Sequence, residues 1–341
     1  MFYKLSLNLN TVFDKQAMTK KITRGISQQF AHAFKQTDLY RLYKENENEL
    51  IIGVRNNYLN LYYNCDSIAT ITYPHKKAIK STIHNYYING VNNKISKNIT
   101  LPPKDIYHNY ETIKKYSDRR TTIEKKAQSK LFLLNNYNSN SNWFCIDLEY
   151  VKQFENITQK SESNFNARFD IIAISKKVPH RVALIELKYG SGAIGGKSGI
   201  YKHVQDFSKF KEKNYFNPLF TQELIAIINS LNYLGVELPF ITPNREDFLQ
   251  PEFYFIILNN NEATPRHSSP KQTIAGYLFQ GKRWGSRRVS KSNNIERDFG
   301  DITKRDNPFH ASLLFSSQTL DNITIDDIID GGYDERVEPS Q

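Results

Sequence analysis

Two cysteines, Cys65 and Cys145, are all that the 341 residues contain. That is too few for a disulfide scaffold or a cysteine-ligated metal site, and it predicts thiols that stay reduced. Long apolar runs are also missing. The opening MFYKLSLNLNTVFDKQ lacks the roughly 7–15-residue apolar core of a secretory signal, and no window reaches the ~18 apolar residues of a membrane span. These absences point to a cytoplasmic protein with no membrane partner. Acidic residues are in deficit, 35 Asp and Glu against 46 Lys and Arg, for a formal charge of +11. No repeat at a fixed period is visible, which sets solenoids and propellers aside.

What is present is enough to fold. Apolar residues make up 39% and aromatics 13%, so wholesale disorder is excluded, and the length predicts about two domains at roughly 150 residues each. The charge is unevenly spread. From Asp321 to Glu338 seven acids meet one base, a net −6 that leaves +17 for the rest. A basic body calls for a polyanionic partner, nucleic acid before membrane, and the acidic end predicts a tail that competes for the same groove.

Along the chain, Ile22, Ile26, Phe30 and Phe34 recur every four residues and predict a helix over 18–35. LIIGVRNNYLNLYYNCDSIATITYP then reads as a three-stranded meander stopped by Pro74, with a linker from about Val91 to Pro102-Pro103. Beyond the prolines a helix is expected over 122–135. Three strands follow (WFCIDLEYV, RFDIIAIS and RVALIELKYG), then a glycine-rich loop and a helix over 200–211. Further helical stretches at 222–234 and 245–249 precede the strand FYFIILNN. The division expected is an N-terminal helix and meander module over 1–104, an α/β core over 105–262, a basic extension over 263–320 and an acidic tail over 321–341.

Charged side chains inside apolar strands are the strongest chemical signal, because a buried charge is costly unless compensated. Asp170 lies in FDIIAI, and Glu186 and Lys188 lie in ALIELKY. The two-residue period of a strand puts Glu186 and Lys188 on one face, and a hairpin brings Asp170 to it. Converging carboxylates repel unless a cation lies between them, and oxygen ligands suit Mg²⁺ or Mn²⁺. Lys188 would then orient a metal-bound water and offset charge on a phosphate. A surface salt bridge on a hairpin is the alternative.

Asp170, then Glu186-Leu187-Lys188, each on a strand and followed by a helix, resembles the PD-(D/E)xK nuclease superfamily over about residues 119–260. The resemblance includes the element order of its restriction endonuclease-like αβββαβ core, a mixed sheet. The family's leading proline is replaced by Phe169. The resemblance implies a Mg²⁺- or Mn²⁺-dependent hydrolase of phosphodiester bonds, DNA ahead of RNA, with Asp170, Glu186 and Lys188 catalytic. Asp170, Glu186, the Leu187 carbonyl and Glu124 of the first core helix would hold the metal. Glu149 competes with Glu124, and His203 or Gln205 on the following helix would touch metal-bound water or phosphate. Defence, mobile-element biology and repair are the settings that suit such an enzyme.

The loop GSGAIGGKSG sits where a phosphate-binding P-loop would, but its spacing fails: the first glycine required falls on Ser191. The loop instead offers Lys197 and backbone amides to a phosphate. Residues 104–130 hold eight bases and four acids, including Arg119 and Arg120. Residues 266–305 hold ten bases and three acids, with Arg283, Trp284, Arg287 and Arg288 in GKRWGSRRVSK. Interleaved arginine and aromatic side chains suit backbone neutralisation with base stacking. The alternative function is a non-catalytic nucleic-acid-binding protein on a degenerate nuclease scaffold. The N-terminal module is open to target recognition, homodimerisation or a partner protein.

Overall fold

A computed structural model describes residues 24–90, 97–154, 165–190, 200–259, 311–319, 323–333 and 335–337. The architecture is α/β: a small helical module and a small antiparallel sheet at the N-terminal end, and a larger mixed sheet flanked by helices. The helix expected over 18–35 is described only from Gln28 to Lys35 (α1), where the Ser27 hydroxyl caps it by accepting from the Phe30 N–H. A second helix not read from the sequence, α2 (Asp38–Glu45), follows a Thr37 cap. Together they bury Phe30, Phe34, Leu39 and Leu42.

The meander is longer than its sequence suggested. β1 (Leu50–Val54), β2 (Tyr58–Tyr63) and β3 (Asp66–Thr72) are joined by β4 (Lys80–His84) and β5 (Asn98–Leu101) in one five-stranded antiparallel sheet. The last two strands are short and lack strong alternation, so periodicity did not reveal them. Asn64 and Cys65 at the β2–β3 turn are both left-handed, φ 51° and 60°, as a tight two-residue hairpin requires. Between β4 and β5 lies α3 (Tyr86–Asn89), and after β5 come α4 (Pro103–His108) and α5 (Tyr110–Arg120).

The larger sheet has the order β11 (Glu335–Val337), β10 (Ala311–Phe315), β9 (Glu252–Leu258), β8 (Val182–Tyr189), β7 (Phe165–Ser175), β6 (Trp143–Phe154). α6 (Ile123–Tyr137) leads into β6 (Trp143–Phe154), β7 (Phe165–Ser175) and β8 (Val182–Tyr189), an antiparallel run. α7 (Ile200–Glu212) and α8 (Thr221–Leu234) then precede β9 (Glu252–Leu258), which pairs parallel to β8. One face of this sheet carries Phe144, Ile172, Leu184 and Phe253. It shares a continuous apolar core with Phe207 and Phe210 of α7, with α8, and with the N-terminal helices and small sheet. The other face carries Cys145, Ile171, Ile185 and Ile256 and packs against Ala127 and Leu131 of α6.

The outer edge of β6 is closed by side chains. Asn135 donates to the Trp143 carbonyl at 2.8 Å, and Asn136 serves both polar groups of Cys145, donating at 2.9 Å and accepting at 2.7 Å. Arg55 and Arg24 donate to the Leu148 and Val151 carbonyls at 2.5 and 2.8 Å. These bonds satisfy an edge that would otherwise be a template for another strand.

The acidic C-terminal stretch is not a solvated tail where it is described. β10 (Ala311–Phe315) pairs parallel to β9, and β11 (Glu335–Val337) pairs antiparallel to β10. Between them α9 (Ile325–Ile329) buries Ile325, Ile328 and Ile329. Its acids have structural partners. Asp327 completes a capping box with Thr324, and Asp326 accepts from the Ser141 hydroxyl and, at 2.9 Å, from the Asn142 N–H. Acids at a helix N-terminus complement its dipole, so Asp326 and Asp327 are held by the fold; Asp321, Asp334 and Glu338 of the expected acidic tail lie outside the described residues. No helix among the described residues is long and apolar enough to cross a membrane.

Candidate functional site

Sequence-predicted site residues from β7, β8, α6 and α7 meet at one place in the large sheet. Strand alternation places Glu186 and Lys188 of β8 in phase with Leu184, whereas at Asp170 of β7 the alternation breaks, because Phe169 belongs to the core on the α7 face and Ile171 to the core on the other. Leu187 points to the opposite face and is fully buried, but its N–H donates to the Asp170 carboxylate at 2.8 Å. The Lys188 ammonium donates to Glu186 at 2.8 Å and reaches across to Glu124 at the start of α6 at 3.1 Å. From α7, His203 Nε2 lies 3.0 Å from the same Glu186 oxygen. The side chain of Gln205 lies outside what is described.

Glu149 reaches the margin of this cluster by a backbone irregularity. β6 and β7 pair at Leu148↔Ile171 and Tyr150↔Phe169, and Glu149 between them has φ 52°, a left-handed conformation that is costly for a residue with a Cβ. Its carboxylate lies 3.6 Å from Lys125. Asp147, expected on the same face as Glu149, turns instead to Arg55, at 2.6 Å in a fully buried ion pair between the two sheets. The left-handed backbone at Glu149 breaks the alternation that would have put the two acids on one face.

Burial sets the protonation of the cluster. It pushes Asp170 up to about 7, against the pull of Lys188 and the Leu187 amide, with Glu149 and Glu124 adding to the rise. Burial and the neighbouring Asp170 push Glu186 well above the usual carboxylate range. Desolvation opposes the charge of Lys188, yet Glu186, Asp170 and Glu124 around it outweigh that cost and raise its pKa. Lys188 is therefore the cation that lies between the carboxylates.

This arrangement corrects the expected metal centre. Among the described residues, no group of three or more His, Cys, Asp and Glu side chains is placed to hold a metal ion. The predicted ligands are engaged otherwise: Glu186 with Lys188 and His203, Glu124 with Lys188, and Asp170 with the Leu187 amide. The assignment as a Mg²⁺- or Mn²⁺-dependent nuclease, with its hydrolase activity and metal cofactor, is withdrawn on this ground. Where the sequence led to the expectation of a metal ion, Glu186 and Glu124 meet the Lys188 ammonium.

A second cluster lies just ahead of α6. Arg119 and Arg120 end α5 and are exposed. Arg119 sits over the Tyr116 ring at 5.8 Å, and Arg120 over Tyr86 and Tyr87 at 5.7 and 5.8 Å. Neither guanidinium has a carboxylate partner among the described residues, whereas Lys125 and Lys126 nearby are paired with Glu149 and Asp118. Gly90, at φ 65°, allows this packing: a Cβ there would lie 2.4 Å from the Tyr116 ring. The tyrosines were not read from the sequence, although the Tyr86-Tyr87 pair stands beside the basic stretch once the fold is known. Lys197, Arg283, Trp284, Arg287 and Arg288 lie outside the described residues.

No family model matches this chain, and neither does any curated protein or solved structure.

Proposed function

We propose that the chain is a non-catalytic nucleic-acid-binding protein on a degenerate nuclease-like scaffold, acting in the cytoplasm, where its two buried free thiols would stay reduced. The observation that carries the binding half is the exposed Arg119–Arg120 pair on its tyrosine platform. A guanidinium with no carboxylate partner among the described residues is available to a phosphate, and the packed tyrosine rings beneath hold it at the surface. The formal charge of +11 adds long-range attraction. Two observations support the scaffold half. Helix α6, strands β6 to β8, helix α7 and strand β9 follow the order that the sequence resemblance implies. Asp170, Glu186 and Lys188 also meet at one place, Glu186 bonded to Lys188 and Asp170 to the Leu187 amide.

Fluorescence anisotropy of labelled single- and double-stranded DNA and RNA, titrated with the full chain in EDTA over a range of salt, tests the binding. The expected outcome is binding at low salt that weakens linearly in log–log form. The Arg119→Ala/Arg120→Ala double variant should bind more weakly, with a slope shallower by about 1.4–1.8. Absence of binding to all four ligands at low salt would overturn the reading.

A further inference from the structure

Where the small sheet meets the large one, the packing leaves a cavity of about 640 Å³. Leu50 and Ile52 of β1, Phe132 of α6, and Phe144 and Ile146 of β6 line it, all buried. A pocket of roughly 300–1,000 Å³ with apolar walls and a few polar groups is the usual form of a small-molecule site.

The polar lining defines the ligand chemistry. Two lysines, Lys44 and Lys176, and two glutamates, Glu47 and Glu237, cancel in charge. Lys44 is engaged by Glu47 at 2.6 Å, and Lys176 donates to the Asn138 and Ser139 carbonyls, each at 3.4 Å. Asn136, also in the lining, is committed to both backbone groups of Cys145. Tyr43 and Tyr137 remain. Tyr43 is buried and Tyr137 is largely exposed, and as phenols both keep their protons at neutral pH and can donate. The lining charges sum to zero, so a charged ligand would meet no net counter-charge and would bring an uncompensated ion against apolar walls.

We propose that this cavity binds an uncharged, mainly apolar small molecule with a hydrogen-bond acceptor, its apolar body against β1 and β6 and its acceptor at the Tyr43 and Tyr137 hydroxyls. Because the walls come from both sheets, the ligand ties one to the other and stabilises the fold by mass action.

Prodan, a neutral naphthalene ketone whose emission moves to the blue in apolar surroundings, is the probe to titrate against the full chain. The expected result is saturable binding at one per chain with a rise in unfolding temperature. Leu133→Trp and Val236→Trp fill the cavity from opposite walls, and each variant that unfolds cooperatively should bind at least about tenfold more weakly. The anionic 1-anilinonaphthalene-8-sulfonate should show no component that these substitutions remove. Unchanged Prodan binding in a folded variant, or no saturable binding to the unsubstituted chain, would overturn the site. A sulfonate component of comparable affinity that the same variants abolish would overturn the uncharged class.

Discussion

At Asp170, the cost of burial outweighs the attraction of Lys188 and the Leu187 amide, leaving the carboxyl at about 7 in the folded chain against 3.8 for the free group. The raised value means that the folded state holds a proton the unfolded state has released. The stability tied to it is fully present below about pH 4 and is lost as pH rises through about 7. Asp170→Asn keeps an acceptor for the Leu187 amide and cannot ionise. It should match the unsubstituted chain near pH 4 and exceed it by about 1 kcal/mol or more at pH 8, since one pKa unit corresponds to roughly 1.4 kcal/mol. Chemical denaturation at the two pH values measures this, and a gap of equal size at both would contradict it. Arg55 presents the opposite case. Its guanidinium neutralises the fully buried Asp147 and also donates to the Leu148 carbonyl. Arg55→Ala leaves that carboxylate without compensation and should cost about 3–5 kcal/mol, seen as a lower denaturation midpoint.

Among the elements, β6 shows what the sequence could and could not disclose. Alternation in WFCIDLEYV identified the strand, but the side chains that close its edge come from α6 and from the residues around Gly25 and Val54, where no local pattern marks them. Asn136→Ala would strand the N–H and carbonyl of Cys145, at roughly 1–3 kcal/mol for each group left unsatisfied. Such an edge should also self-associate, which light scattering below the unfolding temperature would register. The elements with strong periodicity, α6, β6 to β8, α7, α8 and β9, were legible. The short strands β4, β5, β10 and β11 were not, because 3 to 5 residues carry too little period to separate from a loop. Likewise, Asp170, Glu186 and Lys188 were legible as charges in apolar strands. That Lys188 and Glu186 bond each other, with Glu124 and His203, depends on distances between α6, β8 and α7 that only the tertiary fold sets.

For the whole molecule, the excess of positive charge first read as a basic body with an acidic tail takes a different form. Acids near the C-terminal end cap α9 and anchor residues 141 and 142, while Arg119 and Arg120 stand exposed over tyrosine rings. The described structure thus has an exposed pair of arginines, on which the proposed binding rests, and, separately, a cluster in which Lys188 bonds both Glu186 and Glu124. The most direct test follows a labelled oligonucleotide with the full chain, in EDTA and in millimolar Mg²⁺ or Mn²⁺, reading anisotropy and strand length from the same sample. The account predicts binding in EDTA and an intact strand under all three conditions, unchanged by Asp170→Ala. Metal-dependent shortening of the strand that Asp170→Ala abolishes would contradict it.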